Sequence, residues 1–158
     1  TFDAREYSAN DKEILKKLVK AAEYLDTAYW MQTSKSGLKM IDSLSKISND
    51  PYAADLLTLL QRNGGPFELL NEYEPFIGNQ KYYGGDEIYP HGLTTSQFDT
   101  YLKTLTEEEK AEFMYPYTVI RGDGKGGYKA VRYYTEYKKY IDPAVALESY
   151  RTYHRQLL

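Results

Sequence analysis

Apolar side chains recur at three- and four-residue steps near the start of the chain: Ile14, Leu18, Ala21/Ala22, Leu25 and Ala28/Tyr29. Lys12, Lys16, Lys17, Lys20 and Glu23 supply the wet side, so the spacing predicts an amphipathic helix to about Gln32. Ser8-Ala9-Asn10-Asp11 marks its start, because the Ser8 hydroxyl can accept a free backbone N–H while Asp11 sits near the positive end of the helix. The aromatic end of this helix, Tyr24, Tyr29, Trp30 and Met31, reads as core. Gly37 is expected to separate it from a shorter helix over Leu38–Leu44. Asn49-Asp50-Pro51 starts another, with Asp as cap and Pro at the first helical position, where a missing N–H costs nothing. Leu56, Leu57, Leu59 and Leu60 form its apolar face, and Asn63-Gly64-Gly65 stops it.

From Pro66 to Leu93 the periodicity disappears, apart from a short turn at Phe67–Leu70. The run is too aromatic for a disordered linker. Its length and its Gly, Pro and Tyr content predict an ordered loop wrapped on the core or serving a site. Thr94-Thr95-Ser96-Gln97 and Thr106-Glu107-Glu108-Glu109 are two more helix starts; the three glutamates read as a solvated first turn favoured by the helix dipole, not as metal ligands. Tyr117–Arg121 and Tyr128–Tyr133 are β-branched and aromatic runs bracketing Gly122-Asp123-Gly124-Lys125-Gly126-Gly127, which predicts a β-hairpin. The block from Glu136 to Leu158 is expected to be helical, with a restart at Asp142-Pro143. The fold class that follows is mainly α, a helical domain with one small β-hairpin and a long ordered Gly/Pro/Tyr-rich loop.

At 158 residues the chain is the size of one domain and can bury roughly two-thirds of its unfolded surface. A net charge of −3, with 20 Lys and Arg spread in small groups, gives no electrostatic footprint for nucleic acid. No apolar run approaches the ~20 residues of a membrane span, so a soluble protein of cytoplasm or periplasm is expected. The chain opens on Thr1, which suggests that an upstream segment, such as a signal sequence, was removed. With no cysteine, disulfides and thiolate chemistry are excluded. Eighteen tyrosines against five phenylalanines suit a polar-tipped core or a contact surface, since each ring carries a hydroxyl that wants a partner.

Gly122-x-Gly124-x-x-Gly127 matches the dinucleotide-binding pattern in letters only. That motif needs a helix after it to meet the pyrophosphate, and here a strand follows, so the run reads as a hairpin tip. The two histidines, His91 and His154, have no two-histidine helical spacing, which leaves zinc without a local ligand set. His91, between Pro90 and Gly92, is placed either to cap the next helix or to face a cleft. No nucleophile elbow or triad signature is present.

Several pieces taken together resemble the N-terminal region of the dipeptidyl-peptidase III family of zinc metallopeptidases, in particular shorter bacterial relatives. They are Leu25-Asp26-Thr27-Ala28-Tyr29-Trp30-Met31-Gln32, Gly65-Pro66-Phe67-Glu68-Leu69-Leu70, Pro75-Phe76-Ile77-Gly78, Ile88-Tyr89-Pro90-His91-Gly92-Leu93-Thr94, Tyr117-Thr118-Val119-Ile120-Arg121 and Tyr133-Tyr134-Thr135-Glu136-Tyr137. Each is weak alone; their colinear order carries the resemblance. It implies a two-lobed peptidase with zinc on a His-Glu-x-x-x-His helix and a later Glu, and with the peptide substrate lying between the lobes. None of that zinc motif is in this sequence, so no catalytic or metal-binding residue is assigned, and zinc belongs to the full-length protein. The chain is expected to be an N-terminal fragment whose partner is the missing catalytic half of the same polypeptide. Tyr82, Tyr83, Tyr89 and His91 are the candidates for lining the peptide cleft. An apolar face along Leu147, Tyr150, Tyr153 and Leu157 is expected to be left exposed for that half to cover. The alternative is a stand-alone module that binds a protein or saccharide through its tyrosines.

Overall fold

The computed structural model describes residues 4–47, 49–84 and 87–155, the last six of them by backbone alone. After a 3-10 turn at Ala4–Glu6 come helices α1 (Ala9–Thr33), α2 (Lys35–Ser45), α3 (Pro51–Asn63), α4 (Thr95–Leu102) and α5 (Glu107–Phe113). Strands β1 (Thr118–Gly122) and β2 (Tyr128–Arg132) follow, and helix α6 (Tyr133–Arg155) ends the described chain. The mainly α class with one hairpin holds.

Local hydrogen bonds explain where the helices begin. At α1 the Ser8 hydroxyl accepts from Asp11 N at 3.1 Å, and the Asp11 carboxylate accepts from Ser8 N at 3.1 Å. The Ser8 hydroxyl also donates to Asp11 Oδ2 at 2.7 Å, and this bond first, with that from Ser8 N second, holds the Asp11 carboxyl below its ordinary value. Asp50 caps α3 through Tyr52 N, and Gly64, at φ 65°, ends it in the left-handed region that glycine adopts without penalty. Thr94 and Thr106 each form the reciprocal box with Gln97 and Glu109.

Three expectations need correction, and the first is Tyr29, which the sequence reads as core and which is 50% exposed. Gly37 is not a break but lies in the first turn of α2, which Ser34 caps by accepting from Gly37 N at 3.0 Å. A Cβ at Gly37 would come within 2.7 Å of Trp30 Cζ3, so the glycine serves close packing at that turn. Helix α6 also does not restart at Asp142: it runs through Pro143, and the Asp142 carboxylate pairs with Lys138 Nζ at 2.8 Å. Tyr137 and Ala144, two turns apart and therefore on one face, are both buried on either side of the proline. Packing at both ends outweighs the one backbone bond that proline cannot donate.

The chain divides into two compact units, one made of the chain up to Tyr29 with the chain from Tyr137 onward, the other spanning Trp30–Glu136. In the first, the deeply buried positions Ala21 and Ala28 on α1 repeat at the same seven-residue step as Tyr137 and Ala144. Leu147 is half-buried there; the Tyr150 and Tyr153 side chains and Leu157 lie outside the described residues. In the second unit the core is Trp30, Ala53, Leu60, Pro66, Val119 and Ile120. The hairpin pairs antiparallel, Thr118 with Arg132 through Gly122 with Tyr128. At its tip the Asp123 carboxylate accepts from Lys125 N at 2.7 Å and Gly127 N at 2.9 Å, so the glycine-rich run is folded around the chain's own anion.

Tyrosines stand both in the core and on the surface. Tyr137 is buried, and Tyr101 packs edge-on against Tyr128 while its hydroxyl donates to Tyr128 O at 2.8 Å. Tyr52, Tyr117 and Tyr134 stand in solvent.

Candidate functional site

The loop after α3 is held by its own backbone. Past Gly64, the buried Gly65-Pro66 pair turns the chain, and Phe76 N donates to Pro66 O at 3.0 Å while Glu68 N donates to Glu74 O at 2.8 Å. Glu72 and Tyr73 take positive φ values of 51° and 59° to close the turn between them. This brings the Tyr73 ring flat onto Tyr82, with centroids 4.1 Å apart, and Phe67 edge-on to the same ring at 5.2 Å. Tyr82 is thereby fixed by two aromatic contacts.

A second anchor holds the return of the loop. Ile120 N donates to Ile88 O at 2.8 Å, extending the β1 edge into the loop, and Glu87 N donates to Gln32 O at 2.9 Å. Arg121 Nη1 donates to Glu87 O at 2.9 Å and Ile88 O at 3.3 Å. Its Nη2 and Nε meet Glu136 Oε1 at 2.8 and 2.9 Å. One guanidinium therefore ties the loop to β1 and to the first turn of α6. Four of the sequence pieces that carry the family resemblance meet in these contacts: the 65–70 run with 75–78, and the 88–94 run with 117–121.

These segments border a cleft of about 310 Å³, lined by Thr33, Ser34, Ser36, Phe67, Gln80, Lys81, Tyr82, Tyr83, Glu87 and His91. Glu87, mostly buried, is its electrostatic centre. Its carboxylate accepts from Lys35 N at 3.3 Å and lies 3.4 Å from Lys35 Nζ and 3.5 Å from His91 Nε2. A carboxylate at the first turn of α2 also meets the positive end of that helix. The His91 ring stacks on Tyr83, with centroids 4.9 Å apart, and the Lys81 ammonium lies 5.6 Å from the centre of the Tyr83 ring.

Of the four sequence candidates, the structure places Tyr82, Tyr83 and His91 on this cleft. Tyr89 lines a neighbouring one of about 250 Å³, which shares Lys81, Tyr82 and Tyr83 with the first. There it meets Phe98 edge-on at 5.6 Å. Tyr133 is half-buried, which pushes its hydroxyl pKa up, and nearby Tyr89 adds to that. His91 faces the cleft; the cap of α4 is Thr94. Ser34, Ser36, Glu87 and the clamp Arg121 escaped sequence reasoning. The Ser-x-Ser pair just ahead of an apolar run was a readable cap signal, whereas the roles of Glu87 and Arg121 depend on residues far away in the chain.

The arrangement suits binding. The His91 nitrogen faces a carboxylate, while the Ser34 and Ser36 hydroxyls face each other at 3.2 Å. Among the described residues no group of three or more His, Asp or Glu is placed to hold a metal ion, and Glu87 with His91 supplies two ligands at most. No described helix is long and apolar enough to cross a membrane.

No protein-family model and no curated protein matches the sequence. Solved structures do. The chain is similar to dipeptidyl peptidase III from Caldithrix abyssi, with 29% identity over 92% of this chain and a TM-score of 0.78. It is also similar in fold to dipeptidyl-peptidase III from Corallococcus sp. strain EGB, at 24% identity over 93% of this chain and a TM-score of 0.79. Over most of its length the chain has the fold of part of a dipeptidyl peptidase III. It spans 27% of the length of each of those peptidases. The anchor bonds Phe76–Pro66 and Ile120–Ile88 join segments that carried the dipeptidyl-peptidase III resemblance in the sequence, and of the cleft's lining Phe67 and His91 belong to those segments.

Proposed function

We propose that this chain is the non-catalytic N-terminal part of a zinc-dependent dipeptidyl-peptidase-like protein, supporting the catalytic part and lining the peptide cleft. The observation that carries the reading is the likeness to the Caldithrix abyssi enzyme over 92% of this chain, joined to a pre-formed aromatic cleft on the loop that bears the family-like residues. In this reading zinc is held by residues outside the chain and there supplies Lewis-acid polarisation of the scissile carbonyl. The present residues bind and orient: Tyr82 and Tyr83 offer ring faces, Ser34 and Ser36 hydroxyls, and Glu87 with His91 a polar end for peptide groups.

Titration of the isotope-labelled chain with tetra-alanine, followed by amide chemical shifts, tests this. Half a cleft binds weakly, with Kd on the order of 1 mM, and the expected shifts centre on Tyr82, Tyr83, Glu87 and His91. Absence of shifts there at saturating peptide refutes the reading. Shifts produced by a chito-oligosaccharide instead favour the stand-alone interaction module.

A further inference from the structure

Helix α1 is apolar on more than the face it buries. Val19, Ala22, Leu25 and Tyr29 follow one another at steps of three, three and four residues, which puts them in one stripe along the helix. All are exposed, Val19 at 60%, Leu25 at 51% and Tyr29 at 50%, and with Glu23 and Asp26 they line one shallow groove. Water-facing helix positions are ordinarily polar, and contiguous apolar patches of this kind mark docking surfaces. The charges beside the stripe are not equivalent. Glu23 is satisfied by Lys20 at 2.6 Å, whereas Asp26 has no ion pair among the described residues.

We propose that this α1 stripe is where the remainder of a dipeptidyl-peptidase-III-like polypeptide docks, bringing an apolar face with a cationic side chain opposite Asp26. The inference rests on the fragment reading above. The size of the matched enzymes argues for this occupant: the similarity covers 27% of their length, so most of such a polypeptide lies outside the matched region.

The test is co-expression of the 158-residue chain with a tagged Caldithrix abyssi dipeptidyl peptidase III from which the matching segment has been removed. The expected result is co-purification of the two in equal amounts. Leu25→Glu should lower the recovered complex by about tenfold or more, as for a central apolar anchor. Leu70→Glu, at a fully exposed site in the other unit, should leave it unchanged, and circular dichroism of both variants checks that helix content is kept. Co-purification indifferent to Leu25→Glu overturns the stripe while leaving the fragment reading intact. Failure to co-purify overturns both. If the chain alone sediments as a dimer that Leu25→Glu dissociates, the occupant is a second copy and the proposal falls.

Discussion

Gly37→Ala sets two effects against each other, and the structure decides the sign. In a helix, alanine is favoured over glycine by about 0.8–1.0 kcal/mol, so propensity alone predicts a gain. At this position, however, the new methyl would lie 2.7 Å from Trp30 Cζ3 and 3.0 Å from Ser34 Oγ. Carbon pairs are comfortable at roughly 3.5–4.0 Å, which makes the overlap with the indole close to an ångström. Trp30 is 4% exposed and Ser34 also 4%, so neither side chain can swing into water. Overpacking of that kind costs roughly 1–3 kcal/mol, and pushing the Ser34 hydroxyl aside weakens a cap worth about 1 kcal/mol. The net expectation is a loss of about 1–3 kcal/mol, lowering Tm by roughly 2–12 °C for a chain of this size. Urea unfolding followed through Trp30, the one tryptophan in the chain, measures it directly. Gly122→Ala is the control, because nothing lies within 4 Å of its Cβ and its φ is not positive; it should be neutral or slightly stabilising. If Gly37→Ala raises the urea midpoint or leaves it where Gly122→Ala does, the close-packing explanation is wrong.

Arg121→Met keeps the aliphatic stem but removes the clamp on Glu87 O and Ile88 O; a loss of about 1.5–3 kcal/mol is expected, with faster amide exchange at residues 87–93, and unchanged exchange there would count against the clamp. Asp50→Ala removes the α3 cap and should cost about 1 kcal/mol in the same urea experiment, with no change in the hairpin amide shifts. For the hairpin tip, hydrogen bonds from Lys125 N and Gly127 N hold the Asp123 carboxyl below its ordinary 3.8. A carboxyl lowered in the folded state contributes stability that is present above the ordinary value and is lost as pH falls through the folded one. The Lys125 and Gly127 amide shifts should therefore titrate with a midpoint below 3.8, and a midpoint at or above it refutes the tip geometry. Tyr82→Leu keeps an apolar side chain against Phe67 and Tyr73 but gives up both ring contacts and the ring offered to a peptide, and should weaken tetra-alanine binding; equal binding removes Tyr82 from the cleft's working surface.

What could be read from the sequence was what is decided within a few residues. Ser8, Asp50, Thr94 and Thr106 announced their helices because a cap is a bond between neighbours, and Gly64 announced a stop because its φ is a local demand. The hairpin was legible for the same reason. Gly37 misled because glycine has two uses: the local one, breaking a helix, was assumed, whereas the operative one, space for the Trp30 ring, depends on how the helix ends meet. Pro143 misled in the same way, since the packing of Tyr137 and Ala144 is not written in the residues beside it. In the cleft, Tyr82, Tyr83 and His91 could be nominated from loop position and aromatic type. Tyr89, two residues before His91, is turned to a different cleft by its packing on Phe98. Glu87 and Arg121, which organise the site, looked like two charges among many.

The bond from Ile120 to Ile88 also bears on the order of events in folding. The capped helices need only nearby residues and can form early, but the loop is fastened to β1 by contacts that reach back as far as 34 residues, and such closure is slow to achieve. The cleft is thus expected to assemble late and to open early, since each separation of the Ile88 edge from β1 would loosen the loop that lines it. A ligand that spans Ser34 and His91 would act as a latch across that opening, so its affinity and the lifetime of the closed loop should rise and fall together.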